Sequence, residues 1–120
     1  MKKEYRIKKN EEIDLIFKQK RSVGNANLVI YYQVNSQKNF RFAISIGKKY
    51  GKAVQRNQAK RQIRSIIQQN KLLISQDINF VIVVKPPLRA LDFQLKQQNL
   101  INLLIKAHIM KIEDKKWSIN

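Results

Sequence analysis

Cysteine is absent from this chain of 120 residues and histidine occurs once, as His108. The first absence removes disulfides, zinc ribbons and thiol catalysis; the second leaves one imidazole, with no evident partner, as the sole candidate for histidine acid–base work. No apolar run approaches the ~18 residues that a membrane-spanning helix needs, and the one tryptophan, Trp117, stands near the C-terminus with no aromatic belt around it. The N-terminus, Met1 to Lys9, is basic but leads into charged residues and not into an apolar segment, so it does not read as a signal peptide. These absences favour a cytoplasmic protein with no membrane association. There is no internal repeat, low-complexity block or interdomain linker, and the length suits one domain over residues 1–120, with a basic arm at 1–9 and a frayed tail at 112–120.

The most telling absence is local. Between Asp14 and Asp77 there is no Asp or Glu, while Lys18, Lys20, Arg21, Lys38, Arg41, Lys48, Lys49, Lys52, Arg56, Lys60, Arg61, Arg64 and Lys71 all fall in that interval. The formal net charge is +17 and the pI about 10.4. The imbalance points to a polyanionic partner: nucleic acid or an anionic surface.

Within the interval, the second half of the stretch Gly47 to Ile67 contains no Gly or Pro, and Ala59, Ile63, Ile66 and Ile67 recur at helical spacings. At about 100° per residue these four occupy roughly a quarter of the helix circumference. Asn57, Lys60, Arg61 and Arg64 fall on the adjoining sector, with Arg56 at the seam. A helix stabilised by its own side chains would carry Glu four residues before Lys or Arg, each pair contributing about 0.2 to 0.5 kcal/mol. None exists here, and Arg56/Lys60 and Lys60/Arg64 repel by similar amounts. Lys48, Lys49 and Lys52 lead into this cationic ridge, which is expected to bind RNA. Neutralising about six phosphates would make binding fall by roughly 10³-fold or more between 50 and 200 mM salt.

Catalytic groups are not gathered anywhere along the chain. The acids lie in three separated sets, Glu4 to Asp14, Asp77 with Asp92, and Glu113 with Asp114, so no carboxylate cluster for a two-metal nuclease is expected and no metal site is predicted. Ser22, Ser36, Ser45, Ser65, Ser75 and Ser118 lie in no nucleophile motif. Gly47 to Ala53 superficially resembles a phosphate loop, but its glycine spacing is one residue short and Ala53 stands where Ser or Thr would hold magnesium. The glycines suit a tight turn or close approach of RNA.

In chain order, Asn10 with Glu11 and Glu12 predicts a helix start, with Asn10 as the cap and Ile13, Ile16, Phe17 and Lys20 as one stripe, ending near Arg21. Leu28–Val34 and Phe40–Ile46 alternate as strands, and the short polar turn between them predicts an antiparallel hairpin. One hairpin face, carrying Leu28, Ile30, Tyr32, Phe40, Phe42, Ile44 and Ile46, is bulky; the other carries small or amphipathic groups with Tyr31 among them. Tyr31 either covers sheet surface or stacks a base of single-stranded RNA. Ile78–Val84 is continuously apolar and reads as a central strand buried on both faces. Asp92 is placed to cap a last helix reaching about Lys111. The order is α, β, β, basic α, β, α, with one further short strand expected around Lys48 to Ala53, giving an α/β (α+β) two-layer sandwich of helices against a mixed four-stranded sheet.

The stretch Gly51-Lys52-Ala53-Val54-Gln55-Arg56-Asn57-Gln58-Ala59-Lys60-Arg61-Gln62-Ile63-Arg64 closely resembles the signature of the bacterial ribonuclease P protein subunit. The resemblance extends to Ile7-Lys8-Lys9-Asn10-Glu11-Glu12 with Phe17, to Ile44-Ser45-Ile46-Gly47-Lys48-Lys49, and to Asp77-Ile78 with the strand that follows. The family usually has Arg-Asn-Arg where this chain has Arg56-Asn57-Gln58, Ser where it has Gly47, and often an aromatic residue where it has Ile13.

The resemblance implies a small subunit that assists a catalytic RNA in cutting the single-stranded 5′ leader from precursor tRNA, with Mg2+ held mainly by the RNA. No catalytic residue and no obligate protein partner are expected of this chain. It implies that Arg56, Asn57, Lys60, Arg61 and Arg64, flanked by Lys48, Lys49 and Lys52, contact RNA, and that Ile13, Phe17 and Tyr31 line a leader cleft between the first helix and the sheet. It also implies a left-handed strand–helix–strand crossover through the basic helix. From the residues alone, a ribosomal or other generic RNA-binding protein shares the charge and size; a self-sufficient nuclease and a DNA-architectural protein rank below it.

Overall fold

In the computed structural model, residues 2–112 are described; the tail beyond them, with Glu113, Asp114 and Trp117, lies outside the described residues. Three helices pack on one four-stranded mixed sheet. Helix α1 spans Asn10–Lys18, α2 Ala53–Gln69 and α3 Phe93–Lys106; strands β1 to β4 span Ser22–Gly24, Leu28–Val34, Arg41–Ile46 and Ile78–Val84. The strand order is β1-β2-β4-β3, with β2 antiparallel to β1 and β4, and β3 parallel to β4.

The expected hairpin is therefore not formed. β4 inserts between β2 and β3 because it alone is apolar on both sides, and a central position buries both. The 35–39 turn steps across the end of β4 instead of joining two neighbours: the Asn35 N–H donates to the Asp77 carbonyl at 2.7 Å, and Gln37 Nε2 donates to the buried Asn79 Oδ1 at 2.8 Å. The fourth strand is also placed differently. It is β1, three residues that pair Ser22 with Tyr31, while Lys48–Tyr50 forms a single 3₁₀ turn.

Register aligns the side chains in rows. Ile30, Ile82 and Ile44 form one row, and Tyr32, Phe80 and Phe42 the next; both belong to the main core with Ala59, Ile63, Ile66 and Ile67 of α2 and Leu100, Leu103 and Leu104 of α3. The Phe80 ring stacks on Phe42 at 5.6 Å and Phe40 at 6.0 Å between centroids. On the opposite face the row Ser22, Tyr31, Val81, Ala43 is shorter in bulk, and α1 covers it through fully buried Ile16 with Ile13 and Phe17 half-buried, joined by buried Ile7 of the N-terminal arm. Helices thus lie on both sheet faces, two on the bulky side and one short one on the other.

Local boundaries differ from the sequence reading in instructive ways. Asn10 is the first helical residue of α1, follows Lys9 at the cap position and makes no capping bond; Glu11 and Glu12 occupy the first turn as expected. The helix stops at Lys18, and Lys20 adopts φ 58°, which takes it out of the stripe. The basic arm is not loose: Lys3–Tyr5 forms a 3₁₀ turn, Arg6 bridges Phe42 in parallel, and the Ile7 N–H donates to the Phe42 carbonyl at 3.0 Å with Ile7 buried. Asp92 caps α3 by accepting the Leu95 N–H at 2.9 Å, but the helix ends at Lys106, so exposed His108 lies past it, at φ 60°.

Candidate nucleic-acid interface

Two features converge on the α1 side of the sheet and on α2. The first is a half-exposed apolar surface. Tyr31 stands on its strand between Ser22 and Val81, and the Phe17 ring of α1 meets it edge-on at 4.9 Å between centroids. Ile13, one turn earlier on α1, packs into the same cluster as Phe17, Tyr31, Ala43 and Val83. Phe17 and Tyr31 are only half-buried, so ring surface is left to solvent. All three residues assigned to the cleft are thus brought together.

Near Ile13 and Ala43 a depression of about 200 Å³ turns round the edge of β3 next to the arm paired with it, where Arg6, Ile7, Phe42, Ile44 and Arg64 complete its lining. There it meets a larger open groove of about 680 Å³ formed by Lys2, Arg6, Arg61, Arg64, Ser65 and Gln68.

The second feature is the cationic face of α2. Ala59, Ile63, Ile66 and Ile67 are buried as the helical spacing predicts, which leaves Asn57 and Arg61 exposed and Arg56, Lys60 and Arg64 half-buried along the rim. Arg56 is fixed by donating Nη1 to the Gly51 carbonyl at 2.6 Å. The helix starts with the Lys52 N–H donating to Gln55 Oε1 at 2.8 Å, and the turn into it is made at Gly51, whose φ of 158° is a conformation that L side chains rarely adopt and where a Cβ would also displace the Gln55 amide. Lys48, Lys49 and Lys52 are exposed on that same turn.

Among the described residues the one ion pair is Arg41 with Glu12, so the α2 cations have no carboxylate partner within 4.0 Å there. Burial, and then the neighbouring Arg6, hold the Arg64 guanidinium below the usual arginine value. Two guanidinium groups near each other without an anion leave a site of strong positive potential. The sequence reading missed two contributors. Arg6 is brought beside Arg64 by the bridge to Phe42, and Arg89 reaches back to donate Nη1 to the Tyr50 carbonyl at 3.4 Å. Neither carries a periodic signal; only the fold brings Arg6 to α2 and Arg89 to the turn that leads into it. No group of three His, Cys, Asp or Glu that could hold a metal ion occurs among the described residues, and no helix there is long and apolar enough to cross a membrane.

The profile of the ribonuclease P family matches residues 1–108. The chain belongs to the ribonuclease P protein family. It is 47% identical to the ribonuclease P protein component of Acholeplasma laidlawii (strain PG-8A), over 94% of this chain and 97% of that one. Its fold superimposes on a mutant RNase P protein of Staphylococcus aureus with TM-score 0.84 at 33% identity, covering 90% of this chain and 92% of the other. The RNase P protein of Thermotoga maritima gives TM-score 0.78 at 30% identity, covering 84% and 96%. As a ribonuclease P protein component the chain is a subunit of an RNA-based ribonuclease of tRNA 5′ processing and has an RNA subunit as partner.

Proposed function

We propose that this subunit holds the single-stranded 5′ leader of precursor tRNA in the cleft of Ile13, Phe17 and Tyr31, and that Lys48, Lys49, Lys52, Arg56, Asn57, Lys60, Arg61 and Arg64 contact RNA. The observation that supports this reading is the edge-on Phe17–Tyr31 pair, half-open to solvent, on the sheet face that α1 covers only in part. Exposed ring surface stacks bases with little regard to sequence, as a subunit serving many leaders requires, while unneutralised Arg and Lys bind the phosphates between them.

In this reading the chain contributes no bond-breaking group. Its residues orient the leader and neutralise phosphates where RNA strands crowd together. The chemistry supplied by Mg2+ when bound is activation of water and stabilisation of the departing oxygen; the dispersed carboxylates of this chain suit ions held mainly by RNA. The cytoplasm is the compartment this role calls for.

The test is reconstitution. The purified chain, freed of RNA, is expected to leave precursor tRNA intact, and addition of the catalytic RNA at low magnesium is expected to produce leader removal. Processing by the protein alone would overturn the reading, as would equal affinity of the holoenzyme for precursor and mature tRNA.

A further inference from the structure

We propose that Arg6 and Arg64 form a clamp for one phosphate of the leader, placed where the apolar cleft turns round the β3 edge into the cationic groove. This rests on the leader-cleft reading and extends it, because it divides the cations between substrate and RNA subunit. Arg6 and Arg64 alone line both depressions: the smaller one, with Ile7, Ile13, Phe42, Ala43 and Ile44, and the larger one, with Lys2, Arg61, Ser65 and Gln68. A strand whose bases stack beside Phe17 and Tyr31 and which continues past Ile13 and Ala43 comes out between these two guanidiniums.

Three observations favour an anion there. Neither guanidinium has a carboxylate within 4.0 Å among the described residues. The Arg6 backbone is held by its own N–H, which donates to the Lys3 carbonyl at 3.0 Å, and by the bridge to Phe42, so the root of this exposed side chain is fixed at the β3 edge beside Arg64. Arg64 is half-buried and is disfavoured by its neighbour, a cost that a shared phosphate between the two forks reverses. Ser65 and Gln68, one helical turn apart on α2, add neutral hydrogen-bonding groups to the groove beyond the clamp. The spatial order is aromatic pair, apolar wall, paired arginines, polar groove, which is the alternation of base and phosphate expected of a bound single strand.

The experiment uses the reconstituted holoenzyme with precursor tRNAs whose leaders carry a neutral methylphosphonate linkage at one position at a time, and with mature tRNA as reference. Arg6→Ala is expected to weaken binding of the unmodified precursor about tenfold, the loss of one charge-assisted contact. Mature tRNA binding and assembly with the RNA subunit should be unchanged. One leader position that is sensitive to methylphosphonate in the unaltered enzyme should become markedly less sensitive in Arg6→Ala, where Arg64 alone remains, and Arg6→Lys should restore part of the sensitivity. An unchanged methylphosphonate profile, or a loss of assembly as large as the loss of precursor binding, overturns the clamp; the latter assigns the phosphate to the catalytic RNA. Tyr31→Ala separates the two levels: if it weakens precursor binding while Arg6→Ala does not, the cleft stands and the clamp falls, and if neither does, the cleft reading falls with it.

Discussion

The Arg41 guanidinium on β3 donates two hydrogen bonds to the Glu12 carboxylate on α1, at 2.8 and 3.2 Å, tying the short helix across the face that carries Tyr31. Both side chains are about a third exposed, so the pair is worth about 1 kcal/mol or less. Its hydrogen bond to Arg41 holds the Glu12 carboxyl below its ordinary value. A depressed folded-state pKa stabilises the fold above the unfolded value, about 4.3 for Glu, and that stabilisation is lost as pH falls through the folded value. Glu12→Gln is expected to lower the melting temperature by a few degrees at pH 7 and to make little difference in strong acid. Thermal unfolding at several pH values measures this; an equal loss at all pH values would show that packing, and not charge, is responsible.

Phe17 and Tyr31 meet edge-on, so either ring supports the orientation of the other. Stacking on a base contributes about 1–3 kcal/mol. Phe17→Ala or Tyr31→Ala in the holoenzyme is therefore expected to weaken leader-bearing precursor by about tenfold or more and to leave mature tRNA nearly unchanged. Titration of both ligands against each variant decides the matter, and equal losses would mean a generic RNA-binding surface.

The core makes its own prediction through Phe80, which is fully buried and stacked on two further rings. Phe80→Ala is expected to cost about 3–5 kcal/mol, a large part of the stability usual for a domain of this size. Denaturant titration followed by circular dichroism gives the value.

α2 and β4 were readable from sequence because each imposes one long pattern: helical recurrence of Ala59, Ile63, Ile66 and Ile67, and unbroken apolarity from Ile78 to Val84. Strand pairing was not readable. β2 and β3 are joined by a short turn, and local geometry favours a hairpin, yet the demand of β4 for cover on both faces prevails. β1 was missed because Val23 is its only apolar residue and three residues carry no period. The α2 ridge followed from helix geometry, whereas the placement of Ile13 and Phe17 beside Tyr31 was legible through the family pattern alone. Arg6 reaches α2, and Arg89 the turn before it, across the fold and left no trace in spacing.

Arg56 tests the ridge at one cation. Its Nη1 bond to the Gly51 carbonyl orients the guanidinium at the start of α2. Arg56→Ala is expected to weaken assembly with the RNA subunit and to reduce the slope of log affinity against log salt by about 1. Measured assembly constants between low and moderate salt give that slope, and an unchanged slope would remove Arg56 from the phosphate-binding set.

Gln58 offers the reverse experiment, since it stands where the family pattern has the second arginine of Arg-Asn-Arg. It is exposed on α2 and lies three residues before Arg61, so an arginine there faces a like charge one turn away. Gln58→Arg is expected to destabilise the free protein by about 0.2 to 0.5 kcal/mol. In the holoenzyme the added cation should instead tighten assembly and steepen its salt dependence by about 1. The opposite signs are the diagnostic: on a face that only meets water the repulsion would act alone, and stability would fall with no gain in assembly. Thermal unfolding of the free chain and assembly titrations over a range of salt, performed on the same variant, distinguish the two.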